Sequence, residues 1–199
     1  MRLERLVLAT ANTGKVRELR TLVAAWGSID VLSLADVAPL VMPDETGVTY
    51  LDNALLKARA VCAATGLPAL ADDSGIEVDA LGGGPGVYSA RYAASEAGAN
   101  ERILAALSEV PLAARTARYR AVVVLVWPDG STVTAEGTCE GRIAEAPRGS
   151  GGFGYDPVFV SADLGKTCGE ASAEEKARVS HRARAMAALG RALHGRGIV

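Results

Sequence analysis

The segment from Tyr119 to Trp127 is apolar at every position but Arg120, and valine dominates it. β-branched and aromatic side chains in such density fit a pleated, buried surface. Pro128, Asp129 and Gly130 supply turn chemistry, and Thr132 to Thr138 resumes a β-pattern, so the stretch is predicted as a hairpin. Shorter apolar runs at Leu6 to Ala9, Ile29 to Leu34, Ala69 to Ala71 and Val158 to Val160 read as further strands, with Ile76 and Val78 suggesting another just past the third. Helical spacing intervenes. Val16, Leu19, Leu22, Val23 and Trp26 form one stripe ended by Gly27, and Leu51, Leu55, Ala58 and Cys62 form a second, opened by a cap at Thr49 and closed near Gly66. Asn100 to Leu107 reads as a short helix, and the chain is helical again from Ser172. Strands alternating with helices, plus one strong hairpin, predict an α/β fold around a mixed sheet.

At 199 residues the chain suits one domain, or one domain of two lobes, and residues 1–199 are taken as a single folding unit. A hydrophobic fraction of 49% with 22% charged residues allows a substantial core. The formal charge of −2 gives no reason to expect a long nucleic acid as partner. No apolar run approaches the roughly 18 residues of a membrane span, and Met1 to Ala11 lacks the pattern of a signal peptide, so the expected setting is the cytoplasm. Cys62, Cys139 and Cys168 are odd in number and far apart, which suits unpaired thiols rather than a disulfide framework or metal site.

Ala9 to Val16 comes close to the phosphate loop G-x-x-x-x-G-K-[ST], but Ala9 and Val16 break both ends of it. A strand, a polar turn and a helix start carrying Lys15 remain, and backbone N–H groups at a helix N-terminus bind phosphate without that motif. An ordinary strand-to-helix turn with a solvated lysine fits the same residues. Glu45, Asp72 and Asp73 fall outside the regular patterns, and hard oxygen ligands of this kind suit Mg2+ when it also holds substrate phosphates. The alternative is a capping Asp72 with Asp73 and Glu45 merely exposed. Adjacent carboxylates on an extended chain point to opposite sides, so one should face the site and the other the core or backbone.

Twenty-two glycines are present, with clusters at Gly82 to Gly86 and Gly149 to Gly154. Phe153 in the second cluster is placed either to stack on a purine or to plug the core beneath its loop. Lys176, His181 and Arg182 add three donors, or else a solvated helix face. Ser172 with Glu175 forms one capping box, and Ser180 offers a cap for a separate last helix whose inner face is Met186, Leu189, Gly190 and Leu193; the sequence leaves the choice open.

Taken in order, Thr10 to Glu18, Glu45-Thr46-Gly47, Asn53-Ala54 with Lys57-Ala58, Ala71 to Gly75, Pro85 to Arg91, Gly151 to Pro157 and Ser180-His181-Arg182 resemble the inosine triphosphate pyrophosphatase family over nearly the whole chain. The resemblance implies an elongated α/β molecule with a central twisted mixed sheet flanked by helices, two lobes around a nucleotide cleft, and a homodimer. It implies Mg2+-dependent cleavage of ITP, dITP and XTP to the monophosphate and pyrophosphate. On that carry-over Thr10, Ala11, Asn12, Thr13, Gly14 and Lys15 grip the triphosphate, and Ser74 assists there. Glu45 and Asp73 serve the metal, with Asp73 the proton acceptor. Phe153, Gly154, Tyr155 and Asp156 form the base pocket, and Lys176, His181 and Arg182 meet the base. Ala11 stands where the family commonly has Gly, and Asp52 where it often has Glu. Two rivals keep the phosphate residues: a pyrophosphatase of pyrimidine or modified triphosphates, and a nucleotide-binding module without turnover.

Overall fold

The computed structural model describes residues 2–37 and 39–199; Met1, the first residue of the amino-terminal segment read above, and Ala38 lie outside the described residues. Six strands, β1 (Arg5–Leu8), β2 (Asp30–Leu32), β3 (Ala69–Val78), β4 (Thr116–Val126), β5 (Thr132–Ile143) and β6 (Phe159–Ser161), form one sheet in the order β2-β1-β3-β4-β5-β6. β1 pairs in parallel with both β2 and β3, while β5 and β6 are antiparallel, so the sheet is mixed and the fold is α/β as predicted. Five helices accompany it: α1 (Thr13–Val23), α2 (Tyr50–Thr65), α3 (Glu96–Ala106), α4 (Ala173–Val179) and α5 (His181–Gly195). None of the helices is long and apolar enough to cross a membrane, among the described residues.

The predicted hairpin is present and longer at both ends, its turn closed by the Gly130 N–H donating to the Trp127 carbonyl and the Trp127 N–H to that of Ser131. The second strand is shorter than Ile29 to Leu34, because Asp36 accepts from the backbone N–H and hydroxyl of Ser33 and winds residues 34–36 into a 3₁₀ turn. α3 starts earlier than Asn100, at a cap formed by Ser95 on the Gly98 N–H. The last helix is separate, one of the two alternatives left open by the sequence. Ser172 and Glu175 make the reciprocal capping box of α4, and Ser180, in an extended conformation, ends α4 before α5 starts at His181.

Two expectations need correction. β3 does not stop at Ala71; it runs unbroken through Asp72, Asp73, Ser74 and Gly75. An acidic pair is tolerated inside a buried strand because both carboxylates are paired with cations, described below, which removes the penalty that made the sequence read as a loop. The inner face of α2 is also different. Leu51 is exposed, and the buried positions are Tyr50, Asn53, Ala54, Lys57, Ala58, Val61 and Cys62. Polar Asn53 and Lys57 take the inward stripe because they have partners there.

The chain forms two compact units, residues 1–73, 121–137 and 182–199 in the first and residues 74–120 and 138–181 in the second. The first is packed around Leu6, Leu8, Leu19, Trp26, Leu70, Val123, Leu125, Met186 and Leu189. There Gly190 lets α5 close on Trp26, since a Cβ at this position would lie 2.5 Å from the indole nitrogen. The second has its own core of Ile76, Ile103, Leu107, Tyr119, Ile143, Tyr155 and Phe159. All three cysteines are buried and unbonded to one another.

Candidate active site

In the first unit β1 delivers the chain to the polar turn at Thr10 to Asn12, and α1 starts immediately after it. The Asn12 side chain caps α1 by accepting the Lys15 N–H at 3.0 Å, while the Thr10 hydroxyl accepts the Asn12 N–H at 3.2 Å. No acidic side chain occupies the first turn of α1, so the positive end of the helix is left for an incoming anion. The Lys15 ammonium lies 3.1 Å from Asp72, whose side chain is fully buried.

Asp72 has a second cation. Arg182, 1% exposed, reaches it at 3.0 Å and also pairs with Glu18. Burial opposes the Asp72 charge, yet Arg182, Lys15 and Lys57 together hold its carboxyl far below the usual carboxylate range. For Lys15 the balance goes the other way. Burial lowers its pKa, and the neighbouring Arg182 and Lys57 charges add to that effect against the pull of Asp72.

Asp73, the next residue, turns to a different group. Its Oδ1 lies 3.2 Å from the Lys57 ammonium and its Oδ2 accepts from the Asn53 amide at 3.2 Å. Lys57 also donates to Glu45 at 2.7 Å, so one cation joins both predicted metal ligands. Burial pushes the Asp73 pKa up, with Glu45 adding to it, against the opposing effect of Lys57 and Lys15. Lys57 resists burial through Asp73, Asp72 and Glu45, which raise its pKa above the ordinary value.

Two carboxylates converging on a single positive charge fit Mg2+, which is commonly held by one or two carboxylates with substrate phosphates completing the shell. No cluster of three or more His, Cys, Asp or Glu forms a self-sufficient metal cage among the described residues.

The second unit assembles the aromatic and cationic residues around Asp156. Its Oδ2 accepts from the Phe153 N–H at 2.8 Å and from the Lys176 ammonium at 2.6 Å, and its Oδ1 from the Tyr119 hydroxyl at 3.4 Å. Lys176 lies 4.5 Å above the Phe153 ring, and His181 stacks on Tyr119 with ring centroids 4.7 Å apart and planes inclined by 14°. The loop folds this tightly because Gly152 has a φ of +75°, and a Cβ there would lie 2.0 Å from the Asp156 carboxylate. The Gly154 carbonyl accepts from Asn100 at 3.1 Å. Tyr155 belongs to the core of this unit, its hydroxyl donating to the Ser89 carbonyl at 2.7 Å. Burial raises the Tyr155 pKa to about 12. Ser74 is half-buried in β3.

The three donors expected on the base have different partners. Lys176 and His181 lie with Phe153 and Asp156 in the second unit, whereas Arg182 is enclosed in the first by Asp72 and Glu18. A guanidinium satisfies two carboxylates at once through its fork of donors, which is a strong hold for a fully buried cation. Sequence reasoning missed Lys57, Asn53 and Tyr119 as parts of the site. A signal existed for the first two, since Asn53-Ala54, Lys57-Ala58 and Val61-Cys62 recur every four residues and mark one helix face.

The chain is similar to known proteins over most of its length. Residues 6–192 match the Ham1 family. A protein of Symbiobacterium thermophilum named dITP/XTP pyrophosphatase is 56% identical over 185 residues, spanning 92% of each chain. One of the same name from Thermus thermophilus is 56% identical over 187 residues, spanning 93% of this chain and 89% of the relative. Among solved structures, the Ham1 protein of Staphylococcus aureus superposes with a TM-score of 0.85 at 36% identity, covering 97% of this chain and all of that one. The nucleoside-triphosphatase, or dITP/XTP pyrophosphatase, of Mycobacterium abscessus gives a TM-score of 0.75 at 42% identity, covering 93% of this chain and 98% of that one.

Proposed function

The chain belongs to the Ham1 family, and from that premise we propose that it hydrolyses deaminated purine nucleoside triphosphates, dITP and XTP as its relatives are named and ITP with them, to the monophosphate and pyrophosphate. The observation that carries this reading is the meeting of Glu45 and Asp73 on one cation, next to an Asp72 carboxylate that holds Lys15.

Thr10 to Lys15 hold the triphosphate, through the N–H groups that open α1 and through the Lys15 ammonium, with Ser74 assisting. Glu45 and Asp73 would hold Mg2+. When bound, the metal neutralises charge on the phosphate oxygens and on the departing pyrophosphate. Asp73 accepts the proton of the attacking water. A carboxylate whose pKa is raised by burial is a better base than an exposed one, and Lys57 and Asn53 keep its two oxygens oriented. Asp72 remains ionised and positions Lys15.

The base is handled by the second unit. Phe153 stacks on it, Asp156 holds the loop and Lys176, and Lys176 and His181 donate to the six-oxo group. Hypoxanthine and xanthine present an acceptor there and adenine a donor, so a cationic donor favours the deaminated base. Residence in the cytoplasm and a homodimer belong to the same proposal, the dimer being testable by sedimentation.

The deciding experiment incubates the protein with Mg2+ and a panel of triphosphates and separates the products by chromatography. Monophosphate with pyrophosphate from dITP, XTP and ITP is the expected result. Diphosphate with phosphate, or equal turnover of dATP and dITP, would overturn it.

A further inference from the structure

Asn53 is fully buried on α2, and both poles of its side-chain amide are engaged with the two strands of chain that carry the carboxylates. Its Oδ1 accepts the Gly47 N–H at 2.8 Å, two residues past Glu45, and its Nδ2 donates to Asp73 Oδ2 at 3.2 Å. We propose that Asn53 is the positioning residue that fixes the spacing of Glu45 and Asp73 and thereby sets the divalent-cation affinity of the site. The proposal rests on the function above only in taking these two carboxylates as metal ligands.

Three features support it. The amide has a fixed direction, because its oxygen is committed to a backbone N–H and only its nitrogen is left to face Asp73. That arrangement occupies Asp73 Oδ2 and leaves Oδ1 toward the Lys57 ammonium, the place where positive charge is already received. The approach of the Glu45 segment is also close enough to require glycine. A Cβ on Gly47 would lie 2.5 Å from the Asp52 Cβ and 2.6 Å from Asn53 Oδ1. The Thr46 N–H donates to the Asp44 carbonyl at 3.0 Å, which tightens the segment between Glu45 and this contact.

Lys57, one helical turn further along α2, meets the same two carboxylates. Its charge makes it a competitor of an arriving divalent ion. The neutral amide of Asn53 holds the geometry without competing, which is the work of an outer partner that orients a ligand.

The test is a titration of the full chain with Mn2+ alone, following free Mn2+ by electron paramagnetic resonance, on wild type, Asn53→Leu and Gly47→Ala, with a melting curve for each. Loss of an outer partner lowers metal affinity by about 10- to 100-fold, and that rise in Kd is expected for Asn53→Leu. Gly47→Ala should shift Kd in the same direction, because its Cβ would force the Glu45 segment and the Asn53 amide apart. A merely structural Asn53 would lower Tm and leave Kd within twofold of wild type in the folded variants, and that result would overturn the proposal. Should Asn53→Leu fail to fold, Gly47→Ala carries the same comparison. Pyrophosphate release from dITP by wild type is read separately. Its absence removes the proposed reaction and leaves the Mn2+ comparison valid, whereas turnover with unchanged Kd values removes the clamp alone.

Discussion

Asp72 and Asp73 are neighbours on β3, yet their carboxylates serve separate cations, Lys15 and Arg182 for the first and Lys57 for the second. The pleat of an extended strand sends successive side chains to opposite sides, and here it turns one dipeptide into two functional positions. Their environments shift them in opposite senses, Asp72 downward and Asp73 upward.

Asp73→Asn should therefore remove most activity while leaving the fold intact. The replacement keeps the shape and its single carbonyl oxygen can still accept from one of the two donors, Lys57 or Asn53, but it cannot accept the water proton. General-base assistance contributes about 100- to 10,000-fold, so kcat at saturating Mg2+ should fall by at least the lower figure. Retention of a third of the wild-type kcat would exclude Asp73 from that role.

Asp72 governs acid stability. Its folded pKa is depressed, so its contribution is fully present above the unfolded value of about 3.9 and is lost as pH falls below it toward the folded pKa. The melting temperature of wild type should drop through that acid range. Asp72→Asn should be less stable at neutral pH, with a flatter acid limb, and melting curves carried from neutrality to well below a pH of about 3.9 measure both. Parallel limbs for the two proteins would show that Asp72 is not the group responsible.

Lys15 and Arg182 share Asp72 but should fail differently when removed. Arg182→Ala removes the buried guanidinium that Asp72 and Glu18 share, and breaking such a buried group costs about 3 to 5 kcal/mol; a large fall in Tm is expected. Lys15→Ala should barely change Tm by comparison and should weaken triphosphate turnover by a similar factor for ITP and GTP, because a phosphate contact carries no information about the base. Calorimetry and parallel kinetics separate the two, and a base-dependent loss in Lys15→Ala would contradict the phosphate assignment.

Much of this arrangement could be read from the sequence where the information is local. The valine-rich hairpin, the polar turn and helix start at Lys15 and the Ser172 to Glu175 box are set by residues within a few positions of one another, and each formed. What could not be read are pairings across long stretches of chain. Arg182 finds Asp72 over a separation of 110 residues, a pairing that its place beside His181 in sequence does not disclose. The course of β3 was hidden for a related reason, since Asp72 and Asp73 look like a turn until their cations are in place. Lys57 and Asn53 were obscured by the assumption that an inward helix face is apolar, which fails where buried polar groups satisfy one another.

The second unit offers the sharpest test of base selection, because Phe153 and His181 should have different signatures. Phe153 presents a ring face, and stacking on an aromatic contributes about 1 to 3 kcal/mol for any base. Phe153→Ala should lower kcat/KM for ITP, XTP, GTP and ATP by similar factors. His181 donates to one position of the ring system. A hydrogen bond contributes about 1 kcal/mol, and about 1.4 kcal/mol is a factor of ten, so His181→Ala should cost ITP about fivefold while ATP, with an amino group facing that donor, loses little. Lys176 is a poorer probe of the same question. Its ammonium neutralises Asp156 at 2.6 Å in a site where Asp156 is only 2% exposed, and its removal would disturb the loop that carries Phe153. His181 stacks on Tyr119, so Tyr119→Phe, which keeps the ring, provides the control. Steady-state kinetics on the four triphosphates, with Tm measured alongside, decide the matter. Equal losses on all four for His181→Ala at unchanged Tm would assign the histidine to the catalytic frame and would leave Lys176 as the donor that reads the six position.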